Sequence, residues 1–284
     1  MGGLAQILKE SGHDITGADK QFYPPMSEHL EQLNINTIEG YSVETMPDAD
    51  LYIIGNALSR GDACVEFILD KKLPFKSGPE MLGEILKDRD VIAISGTHGK
   101  TSTAYMTCHI LLSQGLDIGF LVGGISDMID GSARLGKDKL FVIEADEYDS
   151  AFFDKRSKFI HYSPNTLVIN NIEFDHADIF DDINDIKKQF HHLIKIVPSS
   201  GNIIYFKDSK TITVFEKWIK FVLEDYSIGT STSIEQYEWP GENSEEIANE
   251  IILKEFDGMN WLIGGAGWLC SPEFINDYNE RTRI

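Results

Sequence analysis

Val-Ile-Ala-Ile-Ser-Gly-Thr-His-Gly-Lys-Thr-Ser-Thr, residues 91–103, decides how the rest of the chain is read. The first four residues are apolar and mostly β-branched, the pattern of a strand buried on both faces. They run into Gly96-Thr97-His98-Gly99-Lys100-Thr101, and residues 104–114 then suit a helix closed by Gly115. A strand, a glycine turn and a helix opening with Gly-Lys-Thr form a phosphate cradle. Its backbone N–H groups and helix N-terminus face an anion. Gly96, Thr97, His98, Gly99, Lys100, Thr101 and Ser102 are the expected nucleotide-binding residues. Lys100 would reach the terminal phosphates, and the Thr101 hydroxyl would ligate Mg²⁺. Ile94 stands where the general pattern has its first glycine, so the loop is shortened and Gly96 takes that role. The alternative, a tight turn that merely contains Gly-Lys-Thr, fits poorly with the flanking strand and helix.

Working outward, residues 140–145 read Leu-Phe-Val-Ile-Glu-Ala, a second buried strand, and they lead into Asp146-Glu147-Tyr148-Asp149. An acid at the carboxyl end of a strand beside a phosphate loop is where a metal-directed carboxylate belongs. Glu144 fits because an unpaired buried carboxylate is expensive and a Mg²⁺ partner would relieve it. Asp146, Glu147 and Asp149 read instead as solvated turn residues. Residues 166–169 form a third strand, followed by Asn170-Asn171-Ile172-Glu173-Phe174-Asp175-His176. His176 then shares a sheet edge with Thr101 and Glu144, which favours a ligand over a structural histidine.

Upstream, residues 1–8 read as a helix closed by Gly12, and residues 14–19 as a strand ending on Asp19. These are the second and third elements of a dinucleotide-type βαβ unit whose first strand is missing. Asp19 suits a ribose contact or a simple turn. Residues 50–54 form a strand that opens into Gly55-Asn56-Ala57-Leu58-Ser59-Arg60-Gly61, where open α/β sheets bind ligands. Asn56, Ser59 and Arg60 are candidate contacts for a diphosphate, with capping of the next helix as the alternative for Asn56 and Ser59. The expected fold is therefore α/β, an incomplete Rossmann-like domain over residues 1–88 followed by a P-loop-type parallel-sheet domain over 89–284. Gly119–Val122 is expected as a strand ending in a Gly123-Gly124 turn, and residues 184–197 as an amphipathic helix.

A net charge of −21 over 284 residues argues against a nucleic-acid or anionic-membrane surface. Three scattered cysteines, Cys64, Cys108 and Cys270, suggest neither a disulfide framework nor a metal site. No apolar run is long enough to span a bilayer, and a cytoplasmic protein is expected. The sequence leaves the oligomeric state open.

The phosphate loop, Glu144-Ala145-Asp146-Glu147 and Asn171-Ile172-Glu173-Phe174-Asp175-His176 together resemble the Mur ligase family, ATP-dependent amide-forming ligases of peptidoglycan assembly. The run from Glu147 to Phe159 and Asp175-His176-Ala177-Asp178-Ile179-Phe180-Asp181-Asp182 resemble the branch that joins L-alanyl-γ-D-glutamyl-meso-diaminopimelate to UDP-N-acetylmuramate. The resemblance implies Lys100, Glu144 and His176 as catalytic residues, with ATP and Mg²⁺ as cofactors. Thr101, Glu144 and His176 would then hold metal, and Asn56, Ser59 and Arg60 would contact the UDP-sugar. His191 stands where several members carry a carbamylated lysine. The family's N-terminal glycine-rich turn and C-terminal amine-receiving domain have no counterpart, so a fragment is implied. An L-alanine-adding ligase and a non-catalytic nucleotide-binding remnant are the alternatives.

Overall fold

The computed structural model describes residues 1–126, 129, 131–174, 180, 182–206 and 234–237. Leu4, Ile7 and Leu8, spaced three and four apart, give α1 (Gly2–Glu10) one buried stripe. The chain continues through β1 (Thr16–Asp19), α2 (Met26–Gln32), β2 (Asn36–Glu39), β3 (Tyr52–Ile54), α3 (Ala63–Asp70), β4 (Phe75–Ser77) and α4 (Gly78–Leu86). Ser77 caps α4 by accepting from the Glu80 N–H at 3.2 Å, and Pro79 sits in its first turn. β1 pairs with β2 and β3 with β4, both in parallel, as two separate two-stranded sheets. The sequence reading had no counterpart for β2 or β4.

The second half contains β5 (Asp90–Ser95), α5 (Lys100–Ser113), β6 (Gly119–Ser126), β7 (Gly131–Arg134), β8 (Leu140–Glu144), β9 (Asp149–Ala151), β10 (Asp154–Ser157), a 3-10 turn over Lys158–His161, β11 (Thr166–Ile169), α6 (Ile183–Lys195), β12 (Asn202–Phe206) and β13 (Ile234–Tyr237). Seven of these strands form one sheet in the order β13-β12-β11-β5-β8-β6-β7, parallel except for the β6–β7 pair. Successive side chains on a strand face opposite sides, and the cores follow that rule. Val91, Ala93, Phe141, Ile143, Leu167 and Ile169 pack with the buried residues of α1, α4 and α6. Ile92, Ile94, Val142 and Val168 pack instead with Ala104, Tyr105, Cys108 and Leu111 of α5.

Two expectations about element bounds need correction. β6 runs through Gly123 and Gly124 instead of turning there, with a register irregularity between Leu121 and Ser126 that absorbs the glycines. α5 begins at Lys100, four residues before the expected start, because Gly99 adopts a left-handed conformation (φ 77°) and serves as its N-cap. Among the described residues, no helix is long and apolar enough to cross a membrane. Cys64 and Cys108 are buried free thiols, and Cys270 lies outside the described residues.

Candidate active site

The phosphate loop leaves the C-terminal end of β5, between β8 and β11, and all three strands deliver residues to it. Gly96 sits at φ 125°, and a β-carbon there would lie 2.9 Å from Asn171 O. The loop is thus pressed against the residues that follow β11. Asn171 O accepts from the Thr97 N–H at 3.1 Å, and its Oδ1 accepts from the His98 N–H at 2.8 Å. Asn170 Nδ2 donates to Thr103 Oγ1 at 3.0 Å and to His98 O at 3.3 Å. The Thr97 hydroxyl donates to Glu173 O and accepts from the Glu173 N–H, at 3.1 and 2.8 Å. These two asparagines fix the short loop. Sequence reasoning passed over them, although paired carboxamides directly after a buried strand were the available signal.

A cavity of about 370 Å³ lies over the loop, lined by Thr97, His98, Gly99, Lys100, Thr101, Ser102, Glu144, Asp146 and Tyr148. Every residue expected to bind nucleotide except Gly96 faces it, and Gly96 lies beneath. The Thr101 hydroxyl donates to Glu144 Oε1 at 2.7 Å, while the Gly123 N–H donates to Glu144 Oε2, also at 2.7 Å. Glu144 is therefore half-buried and doubly hydrogen-bonded within the protein. A β-carbon on Gly123 would come within 2.9 Å of that carboxylate oxygen, so glycine is what allows the contact.

Lys100 is buried. Its Nζ donates to Gly96 O at 2.7 Å and lies 3.4 Å from Glu147 Oε2 and 3.9 Å from Asp146 Oδ1. Glu147 is only 1% exposed, which overturns its reading as a solvated turn residue. A buried lysine needs a counter-ion, and Glu147 supplies it. Burial pushes the Glu147 carboxyl above its ordinary range, and the Lys100 charge offsets part of that rise.

His176 lies outside the described residues, so the third expected metal ligand has no place in this geometry. Among the described residues no group of three or more histidines, cysteines and acids is gathered. Thr101 and Glu144 nonetheless offer a hydroxyl and a carboxylate side by side. That oxygen-only set suits a hard cation such as Mg²⁺, which keeps several waters. His191 lies on α6. Asn56, Ser59 and Arg60 form an exposed loop after β3 and are not among the residues that line the phosphate cavity. Arg60 is held bidentately by Glu66, at 2.9 Å for each contact. Asp62, not Asn56 or Ser59, stands at the N-cap of α3. Asp19 is likewise exposed and accepts from the Tyr41 hydroxyl at 3.1 Å.

A glycine loop between a buried strand and a helix, with a lysine and a hydroxyl–carboxylate pair at the helix start, defines a P-loop-type nucleotide-binding α/β protein. The chain belongs to the Mur ligase family: the family pattern described as Mur ligase middle domain matches residues 94–256, and that of the Mur ligase family, catalytic domain, matches residues 1–90. It is 55% identical over 207 residues to the UDP-N-acetylmuramate--L-alanyl-gamma-D-glutamyl-meso-2,6-diaminoheptandioate ligase of Escherichia coli (strain K12), covering 72% of this chain and 45% of that one. It is 34% identical over 213 residues to a UDP-N-acetylmuramate--L-alanine ligase of Clostridium botulinum (strain Hall), covering 75% of this chain and 45% of the relative. The crystal structure of the UDP-N-acetylmuramate:L-alanyl-gamma-D-glutamyl-meso-diaminopimelate ligase from Neisseria meningitides superposes with a TM-score of 0.75 at 45% identity. That match covers 83% of this chain and 74% of that one. The chain spans about half the length of the curated relatives it matches.

Proposed function

We propose that this chain carries the ATP-activating part of a ligase that joins L-alanyl-γ-D-glutamyl-meso-diaminopimelate to UDP-N-acetylmuramate. The observation that carries the reading is the Thr101–Glu144 pair beside Lys100 over the phosphate loop, in a chain 55% identical to a relative of that name. The division at residues 88 and 89 belongs to the same proposal, supported by the start of β5 at Asp90 and the break between the two family matches. In this reading the protein works in the cytoplasm, where ATP is found.

A carboxylate is a poor acyl donor, so an oxygen of the muramate carboxylate first attacks the γ-phosphorus of ATP and ADP leaves. The amine nitrogen then attacks the acyl carbon, loses its proton, and inorganic phosphate departs. The barrier to the first step is largely electrostatic, since like charges 4 Å apart repel by about 4 kcal/mol at an effective dielectric near 20. Lys100 and the amides at the start of α5 hold the phosphates and offset that repulsion. Thr101 and Glu144 would hold Mg²⁺, with His176 as the further ligand, and the ion would neutralise phosphate charge when bound. Asn56, Ser59 and Arg60 are assigned to the UDP-sugar, and Arg60 would have to leave Glu66 to serve there.

The test is calorimetric binding of ADP with Mg²⁺, followed by phosphate release from ATP with UDP-N-acetylmuramate and either the tripeptide or L-alanine. Lys100→Ala should weaken ADP binding about a hundredfold. Tripeptide-dependent release supports the assignment. Release dependent on L-alanine would move it to the other ligase. No ADP binding by the wild-type chain would sink the ligase reading altogether.

A further inference from the structure

Tyr148 serves two lysines. Its ring centroid lies 5.8 Å from Lys100 Nζ and 5.2 Å from Lys158 Nζ. Both ammonium groups also converge on one carboxylate, Asp146, at 3.9 and 3.3 Å. Asp146 and Tyr148 line the cavity over the phosphate loop, so Lys158 stands at its edge. The chain takes a long way round to bring it there. After Tyr148 it runs out along β9 and returns along β10, and the Lys158 N–H closes the excursion by donating to Tyr148 O at 2.8 Å. Lys155 and Arg156 are held by the hairpin's own acids, Asp149 and Asp154, at 2.7 and 2.8 Å. Lys158 instead reaches back to the cavity.

The two lysines differ in availability. Lys100 is sealed in by loop carbonyls and Glu147. The Lys158 side chain keeps 23% of its surface in solvent, and its partner Asp146 keeps 24%. A solvent-accessible ion pair holds its partners less firmly than a sealed one, so Lys158 can exchange one carboxylate for another more readily than Lys100 can. The hairpin also reaches the first half of the chain, where Phe153 meets Phe75 of β4 edge to face at 5.0 Å. The lysine therefore stands between the phosphate cradle and the hairpin that touches β4.

We propose that Lys158 binds the carboxylate of the acyl donor, the lactyl group of UDP-N-acetylmuramate, and holds it against the phosphate loop. This rests on the ligase reading and adds to it a residue outside the nucleotide contacts. UDP-N-acetylglucosamine is the matching probe, because it carries the same nucleotide and sugar without the lactyl carboxylate. Calorimetric affinities of the whole chain for both sugars, with ADP and Mg²⁺ present, should favour the muramate by about tenfold, the scale of one charge-assisted contact. Lys158→Met should weaken muramate binding until the two sugars are held alike, while ADP affinity stays within about twofold. Lys158→Arg should restore most of the preference. A wild-type chain that does not distinguish the sugars overturns the proposal, as does a Met variant that keeps the preference. Equal weakening of both sugars and ADP would mark Lys158 as structural and overturn it too. ADP binding reports separately on the ligase reading, through Lys100→Ala, so the two failures are told apart.

Discussion

The two halves of the chain use parallel strands in opposite ways. In the seven-stranded sheet, β11 buries all four of its residues and β8 four of five, with apolar packing on both faces. β1 and β2 pair just as regularly, yet none of their residues is buried. In the first half α1 and α4 carry apolar stripes that join the core of the large sheet, while Ile54 of β3 packs with Cys64, Val65 and Ile68 of α3. Backbone pairing alone therefore does not make a rigid platform. The phosphate loop grows from strands whose side chains are fixed on both faces, and the position of Lys100 and Glu144 inherits that rigidity.

The contrast can be broken first by cavities. Phe141→Ala, in the middle of β8, should cost about 3–5 kcal/mol in urea unfolding, whereas Ile38→Ala in β2 should cost about 1 kcal/mol or less. Equal costs would mean that β1 and β2 are as integral as the central strands. A smaller and more local effect is expected at the bulged end of β6. Gly123→Ala should displace the Glu144 carboxylate and raise the Mg²⁺ concentration needed for tight ADP binding by about tenfold, while the unfolding midpoint moves little. An unchanged Mg²⁺ requirement would separate Gly123 from the metal site.

The smallest effect is a pH dependence in the β9–β10 hairpin. Arg156 holds the Asp154 carboxyl down at about 2, from an ordinary 3.8, and His161 Nε2 lies 2.9 Å away. Because the folded value is the lower one, the stabilisation is complete above the unfolded pKa and fades as pH falls through about 2. Asp154→Asn should flatten that part of the acid-unfolding curve. A variant that loses stability in parallel with the wild type between pH 4 and 2 would show that the pair contributes nothing.

What the sequence disclosed follows the same division. β5, β8, β11 and α6 were legible because apolar runs rich in β-branched residues, or a clean 3.6-residue period through Ile186, Phe190, Leu193 and Ile194, leave few alternatives. β2 and β4, reading Asn-Thr-Ile-Glu and Phe-Lys-Ser, are short and polar, and only tertiary pairing makes them strands. Gly123-Gly124 carried the signature of a turn, yet the strand continues because an antiparallel neighbour tolerates a bulge. At the candidate site, type and spacing singled out Thr97 to Ser102 and Glu144, which the structure gathers around one cavity. Glu147 was misread because four consecutive polar turn residues look solvated, and its burial follows from a lysine 47 residues away. The roles of Asn170 and Asn171 arise from strand order, which places the end of β11 against the loop.

One backbone contact beneath the β9–β10 hairpin constrains how the molecule can move. Gly83 of α4 sits so close to the 3-10 turn after β10 that a β-carbon there would lie 2.4 Å from His161 O. Helix and turn are in backbone contact, without a layer of side chains to slide or repack between them. Any displacement of α4 must then carry that turn with it. In mechanical terms α4 is a bearing seat, fixed to the turn although its place in the chain counts it with the first half.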